Sequence, residues 1–221
     1  MLKVDAITVL MGTLNILRGL SLEVDAGAIV GLVGRNGAGK TTTLRSIMGL
    51  VPVTQGDVTL DGRSLLRLPA HERAALGIGY LPEDRRLVGT LSVEENLRVP
   101  AEALKLGAPR ERLETIYGYL PELKEIASRK AVQLSGGQQK LVALGRSFVH
   151  GRRALLLDEP FEGISTAFSR RLAQVIKDYQ ATEPKLSVLV AESDFKRVAM
   201  LTDRAYVIER GEVIEETTTV A

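Results

Sequence analysis

The stretch Gly34-Arg35-Asn36-Gly37-Ala38-Gly39-Lys40-Thr41 sets two glycines, with four residues between them, immediately before a lysine and a hydroxyl residue. Glycines at these positions let the backbone fold tightly, so that successive N–H groups point at phosphate oxygens while the next helix presents its positive end. The spacing marks Gly34, Asn36, Gly37, Ala38, Gly39, Lys40, Thr41 and Thr42 as a phosphate cradle. Lys40 is expected to reach the outer phosphates and the Thr41 hydroxyl to ligate Mg²⁺. A second constellation, the apolar Ala154-Leu155-Leu156-Leu157, ends in Asp158-Glu159-Pro160. Nucleotide hydrolysis needs one carboxylate to hold Mg²⁺ and another to orient or deprotonate water, roles that suit Asp158 and Glu159. An acidic turn after a strand gives the same pattern. A third, Leu134-Ser135-Gly136-Gly137-Gln138, precedes a helical stretch, where it forms either an N-cap or a second anion site.

Positioning these groups requires strands that end at them. Ala28 to Val33 reads as a buried strand feeding the glycine loop, and Lys40 to Met48 as the helix after it, stopped by Gly49 and Pro52. Short strands are predicted at Leu2 to Thr8, Leu20 to Val24, Ile78 to Leu81, Ala154 to Leu157, Ser187 to Ala191 and Arg204 to Ile208. Their alternation with helical spacing predicts an α/β fold whose largely parallel sheet is covered on both faces. From about Val88 to Gly151 the signals are helical instead. Ser92 with Glu95 forms a capping box, Pro109 and Pro121 suit helix starts, and Gln138 to His150 reads as a longer helix. The chain is thus expected to be a single domain, with a core of about 1–87 and 152–221 and a helical insertion of about 88–151. Glu215 to Ala221 reads as a frayed tail.

Composition limits the alternatives. The 221 residues are 45% hydrophobic and 25% charged, and 29 Lys plus Arg against 27 Asp plus Glu leave a net charge of only +2. That balance gives no general drive toward nucleic acid, so none is expected as a partner. With no cysteine, thiol catalysis and thiolate metal sites are excluded. The longest apolar stretch, Ala26 to Gly34, is too short to cross a bilayer, so the chain is expected to stay in the cytoplasm.

The phosphate loop, Leu134-Ser135-Gly136-Gly137-Gln138 and Leu157-Asp158-Glu159-Pro160, in that order with a helical insertion between, resemble the ATP-binding subunit of an ABC transporter. The resemblance spans nearly the whole chain, and the Leu-Ser-Gly-Gly-Gln string is that family's own signature. It implies a P-loop NTPase core, an amino-terminal antiparallel β subdomain and a helical subdomain. It implies ATP and Mg²⁺ as cofactors, hydrolysis of the ATP, and a head-to-tail pairing with a second ATPase subunit. ATP would then lie between one subunit's phosphate loop and Ser135, Gly136, Gly137 and Gln138 of the other. Membrane-spanning permease subunits, an external solute-binding protein and a peripheral place on the cytoplasmic face of the cell membrane follow from the same resemblance.

Tyr80-Leu81-Pro82-Glu83-Asp84-Arg85-Arg86 followed by Leu91-Ser92-Val93-Glu94-Glu95-Asn96-Leu97 resembles the shorter ATPase of branched-chain amino-acid importers, a pattern shared with urea transporters. There Glu83 stands where most of the superfamily has glutamine, and it is expected to ligate Mg²⁺ and sense the γ-phosphate. Three positions depart from the family pattern. Met11, before Gly12, replaces an adenine-stacking aromatic residue and lacks a π face. Ser193, in Glu192-Ser193-Asp194, replaces the switch histidine; serine donates one hydrogen bond but carries no charge at pH 7. Ser165, in Gly163-Ile164-Ser165, replaces a common aspartate. The resemblance therefore implies retained ATP binding with slower hydrolysis. Arg85-Arg86, Arg152-Arg153 and Arg170-Arg171 read as solvated faces.

Overall fold

In the amino-terminal segment Leu2, Val4, Ile7 and Val9 are fully buried. Apart from one irregularity they alternate with more exposed positions, as a half-buried strand requires. The computed structural model, which describes residues 1–202 and 204–218, forms β1 (Leu2–Met11) there. A tight turn at Gly12-Thr13 leads into β2 (Leu14–Val24), with Met11 opposite Leu14. These strands run well past the Thr8 end and before the Leu20 start that their apolar residues suggest. β4 (Gln55–Leu60) and β5 (Arg63–Ser64) complete an antiparallel sheet of order β2-β1-β4-β5.

The main sheet has the order β10-β9-β3-β8-β7-β6, where β3 is Ile29–Val33, β6 Ile78–Leu81, β7 Ala154–Asp158, β8 Ser187–Glu192, β9 Arg204–Glu209 and β10 Glu212–Thr218. All of its pairs are parallel except β9 with β10. Every residue of β7 and β8 is buried, as expected for central parallel strands covered on both faces. The two-residue period of β7 divides the core: Leu155 and Leu157 face one apolar cluster, Leu156 the other. The second cluster joins this face to the antiparallel sheet and to α1 (Lys40–Met48) through Leu44 and Ile47. A short α2 (Ala70–Ala75) lies before β6 and sends the buried Arg73 to the Ser46 and Ile47 carbonyls, capping α1 at its last turn.

The first cluster belongs to the helical region. It contains α3 (Val93–Ala103), α4 (Pro109–Tyr119), α5 (Pro121–Glu125) and α6 (Gly136–Phe148), and it packs on the same sheet face as α7 (Thr166–Thr182). The Ser92–Glu95 capping box is formed, with 3.1 and 2.7 Å bonds. Pro109 and Pro121 each open a helix, where a missing N–H costs nothing. The helix expected from Gln138 begins two residues earlier, so Gly136 and Gly137 lie in its first turn. After β8 comes the short α8 (Phe195–Val198).

The expected frayed tail is corrected in part. Glu215 to Thr218 pair with Val207 to Arg204, and Glu216 meets Arg204 at 2.7 Å; residues 219–221 lie outside the described residues. Backbone pairing along a sheet edge, with charges facing outward, accounts for a strand whose composition resembles a tail.

Candidate functional site: a phosphate cradle and a separate helix end

Because β3, β8 and β7 are neighbours, their carboxyl ends lie side by side, and loops leaving them converge on one crevice. The glycine loop joins β3 to α1. A side chain at Gly34 would collide with the Ile208 carbonyl, and Gly39 adopts φ +117° as the residue before α1. Both positions therefore demand glycine. Lys40 is only 4% exposed. Its ammonium donates to the Gly34 carbonyl at 2.8 Å and meets Glu159 Oε1 at 3.1 Å. The loop thus carries a preplaced cation whose carbonyl and carboxylate partners a phosphate can replace.

Asp158 closes β7 and is fully buried. Thr41 Oγ1 donates to its Oδ1 at 3.0 Å and the Tyr80 hydroxyl to its Oδ2 at 3.3 Å. Burial pushes the Asp158 carboxyl up to about 6, with Glu83 and Glu159 adding to the rise and the Thr41 and Tyr80 hydroxyls opposing it. Burial and the Asp158 charge hold the Tyr80 phenol well above its usual range, so it remains a donor. Glu159 takes the left-handed φ of +47° and donates its N–H to the Ala191 carbonyl of β8 at 2.9 Å. Such backbone strain persists only where surrounding contacts enforce it.

A cavity of about 400 Å³ gathers Met11, Asn36, Gly37, Gly39, Lys40, Thr41, Thr42, Glu83 and Glu159. Gly34 and Ala38 lie behind the loop, lining a different cleft. Ile16 and Glu162 also line the phosphate cavity, and no motif singles them out. Tyr80 opens the Tyr80–Arg86 string but is given no site role by it; its place next to Leu156 across β6 and β7 brings it to the same sheet end. Among the described residues no group of three or more His, Asp or Glu is arranged to hold an ion. The available donors, the Thr41 hydroxyl and the Asp158 carboxylate with Glu83 nearby, are few and hard. They fit Mg²⁺, which takes one or two protein oxygens and completes its shell with phosphates and water.

The second anion candidate is elsewhere. Ser135 caps α6, its Oγ accepting the Gln138 N–H at 3.3 Å while Gln138 Oε1 accepts the Ser135 N–H at 3.0 Å. The N-cap reading is therefore correct, and it is compatible with anion binding because first-turn N–H groups lack intrahelical partners. Ser135, Gly137 and Gln138 line another cavity of about 400 Å³, with Leu141, Gly163, Ser165 and Phe168. Gly136 faces the Arg85 guanidinium instead. This cavity shares no lining residue with the phosphate cavity.

Ser193 joins neither. It is exposed and lines a cleft of about 200 Å³ with Gly34, Arg35 and Phe195, on the far side of the loop. The loop after Glu83 also departs from expectation. Arg85 is half-buried and bonds Gln139 Oε1 at 3.1 Å, so that pair is not simply a solvated face. Arg85 and Arg86 both have left-handed φ, and Arg146 of α6 grips their two carbonyls at 2.7 Å.

Comparison with known proteins agrees with this architecture. A family model described as ABC transporter matches residues 17–162, and the chain belongs to that family, as an ATP-binding subunit. Relatives include the probable branched-chain amino acid transport ATP-binding protein LivF of Archaeoglobus fulgidus, 34% identical over 90% of this chain and 84% of that one. The lipopolysaccharide export system ATP-binding protein LptB of Acidithiobacillus ferridurans is 36% identical over 90% and 82%. The high-affinity branched-chain amino acid transport ATP-binding protein BraG of Pseudomonas aeruginosa is 32% identical over 97% and 91%. Among solved structures, the dimeric post-hydrolysis state of the ATP-binding cassette MJ0796 bound to ADP and Pi superposes with a TM-score of 0.89 at 26% identity, covering 100% of both chains. Among the described residues no helix is long and apolar enough to cross a membrane.

Proposed function

We propose that this chain hydrolyses ATP to power a transporter, and that the transporter imports branched-chain or related amino acids. The observation that carries the ATPase reading is one cavity lined by Lys40, Thr41 and Glu159, in which Lys40 meets Glu159 at 3.1 Å and Thr41 reaches back to the buried Asp158 at 3.0 Å. ATP enters with its phosphates on the loop N–H groups and Lys40. Lys40 then exchanges the Glu159 carboxylate for phosphate oxygen, which frees Glu159 to orient and deprotonate water. Thr41 and Asp158, with Glu83 nearby, would hold Mg²⁺, which would supply charge neutralisation when bound. Met11 packs against the base.

The separation of the two cavities supports the rest of the reading. Ser135, Gly136, Gly137 and Gln138 have no phosphate of their own chain to meet, so they serve a second ATPase subunit placed head to tail. Permease subunits anchor the pair at the cytoplasmic face of the membrane, and a solute-binding protein delivers the cargo to them from outside. The amino-acid assignment rests on LivF and BraG and on the Tyr80–Arg86 and Leu91–Leu97 strings. LptB relatives of similar identity make lipopolysaccharide export the competing outcome. A further reading, a nucleotide-binding regulatory subunit with weak turnover, is favoured by one observation, the position of Ser193 outside the phosphate cavity.

Labelled ATP tests the chemistry: free phosphate is the expected product, and a phosphorylated acceptor would overturn hydrolysis. ATPase measured in membranes containing the cognate permeases tests the cargo. Stimulation by a branched-chain amino acid with its binding protein is expected. Stimulation by lipopolysaccharide instead would overturn the amino-acid assignment, and no turnover in the complex would favour the regulatory reading.

A further inference from the structure

On α6, Lys140 falls on the apolar face beside Leu141 and Leu144 and is 1% exposed. A buried ammonium is costly unless its donors are met. This one is met by backbone carbonyls, donating to Glu159 at 2.7 Å and to Glu162 at 3.1 Å. Burial and the Arg85 charge pull Lys140 below the usual lysine range, while Glu192, Glu162 and Glu159 pull the other way.

Those two carbonyls frame the turn that follows β7. Its first residue, Glu159, is the strained one, and its N–H is already taken by the Ala191 carbonyl at 2.9 Å. The Phe161 N–H in the middle of the turn donates to Glu192 Oε1 at 2.9 Å. β8 therefore holds the turn by its N–H groups, and α6 holds it by its carbonyls. We propose that Lys140 is a positioning residue for hydrolysis, tying the first turns of the signature helix to the backbone of Glu159 so that its carboxylate stays aimed into the phosphate cavity. The inference rests on the ATPase reading. Lys140 lines neither cavity and acts only through Glu159. It also gives the helix that meets the second subunit a direct mechanical connection to the hydrolytic carboxylate of its own chain.

The test compares Lys140→Met, of similar length without donors, with Lys140→Gln, which keeps a neutral donor, in the full-length chain within the assembled complex, the partner's catalytic carboxylate disabled. ATP affinity and single-turnover hydrolysis at saturating Mg-ATP are measured at a temperature where each variant is folded. The Met variant is expected to hydrolyse about 10 to 100-fold more slowly with ATP affinity within about twofold of wild type, a size typical of impaired positioning. The Gln variant is expected to recover most of that rate. A Met variant within twofold of the wild-type rate, equal slowing in Met and Gln, or affinity and rate falling together would overturn the role. If the Met variant does not fold, Lys140→Asn, polar but too short to span to the turn, must show the same slowing of at least about tenfold. A wild-type rate in it overturns the proposal. Failure of the wild-type chain in the same complex to bind or hydrolyse ATP would instead strike the ATPase reading itself.

Discussion

The phosphate cavity and the cavity at the start of α6 are similar in volume, about 400 Å³ each, yet they are built from different materials. The first contains a buried ion pair and a strained glutamate, and is backed through Thr41 by a buried carboxylate with two hydroxyl donors. The second contains a neutral capping serine, helix N–H groups and apolar side chains from Leu141 and Phe168. One is poised to bind charge and carries the hydrolytic carboxylate; the other offers only hydrogen-bond donors and shape. The difference teaches that binding and hydrolysis are separable in this chain, the first resting on one cavity and the second, on the proposed head-to-tail pairing, calling also on another subunit's helix end.

Lys40→Ala should break the comparison most severely, removing the cation that distinguishes the first cavity. ATP affinity should fall about 10² to 10³-fold, the scale expected when a charge-assisted hydrogen bond is removed from a buried site. Nucleotide titration reads it, and unchanged affinity would refute the cradle.

Asp158 gives a second, pH-dependent contrast. Its folded value of about 6 lies above the ordinary 3.8, so the folded chain holds this proton more tightly than the unfolded chain. Its contribution favours folding at low pH, is lost as pH rises from about 4 through 6, and leaves a full penalty of roughly 2 to 3 kcal/mol above that range. Asp158→Asn should therefore raise the thermal midpoint at pH 8 and leave it almost unchanged at pH 4, in nucleotide-free protein, while losing Mg²⁺-dependent ATP binding. An equal shift at both pH values would mean that ionisation is not the cause.

Ser193→His sharpens the account of the third cleft. Since Ser193 is exposed beside Arg35 and Phe195, a new imidazole must turn around the loop to assist hydrolysis, and a gain of at most about tenfold is expected. Single-turnover rates in the assembled complex, with the partner's catalytic carboxylate disabled, provide the readout; a gain of several hundredfold would show that the loop rearranges freely.

Ser135→Ala should have the smallest effect, about 1 kcal/mol of stability from the missing cap. In the isolated chain ATP affinity should stay unchanged, because the two cavities share no residue. Impaired hydrolysis should appear only in the assembled pair. Weaker ATP binding by the isolated chain would join what the structure separates.

What was legible in the sequence follows the range of the interactions involved. The glycine loop, α1 with its Gly49 stop, the Ser92 capping box and the strand ending at Asp158 are local patterns, and the structure reproduces them. β4, β5 and the end of β10 were illegible because Gln55-Gly56-Asp57 and Glu215-Glu216 are polar and gain their order from distant partners. Lys140 reads as one more charge on a helix until α6 turns it inward against the Glu159 and Glu162 carbonyls. The place of Ser193 depends on the path of the chain after β8, which no periodicity encodes.

The central claim, that one cavity binds ATP through Lys40 and hydrolyses it through Glu159, is tested most directly by Glu159→Gln in a single-turnover experiment with labelled ATP. The amide keeps the size of the carboxylate but cannot accept the water proton. The account predicts ATP bound with near wild-type affinity and recovered intact, with phosphate release slowed by about 10² to 10⁴-fold. Phosphate release at the wild-type rate would contradict it.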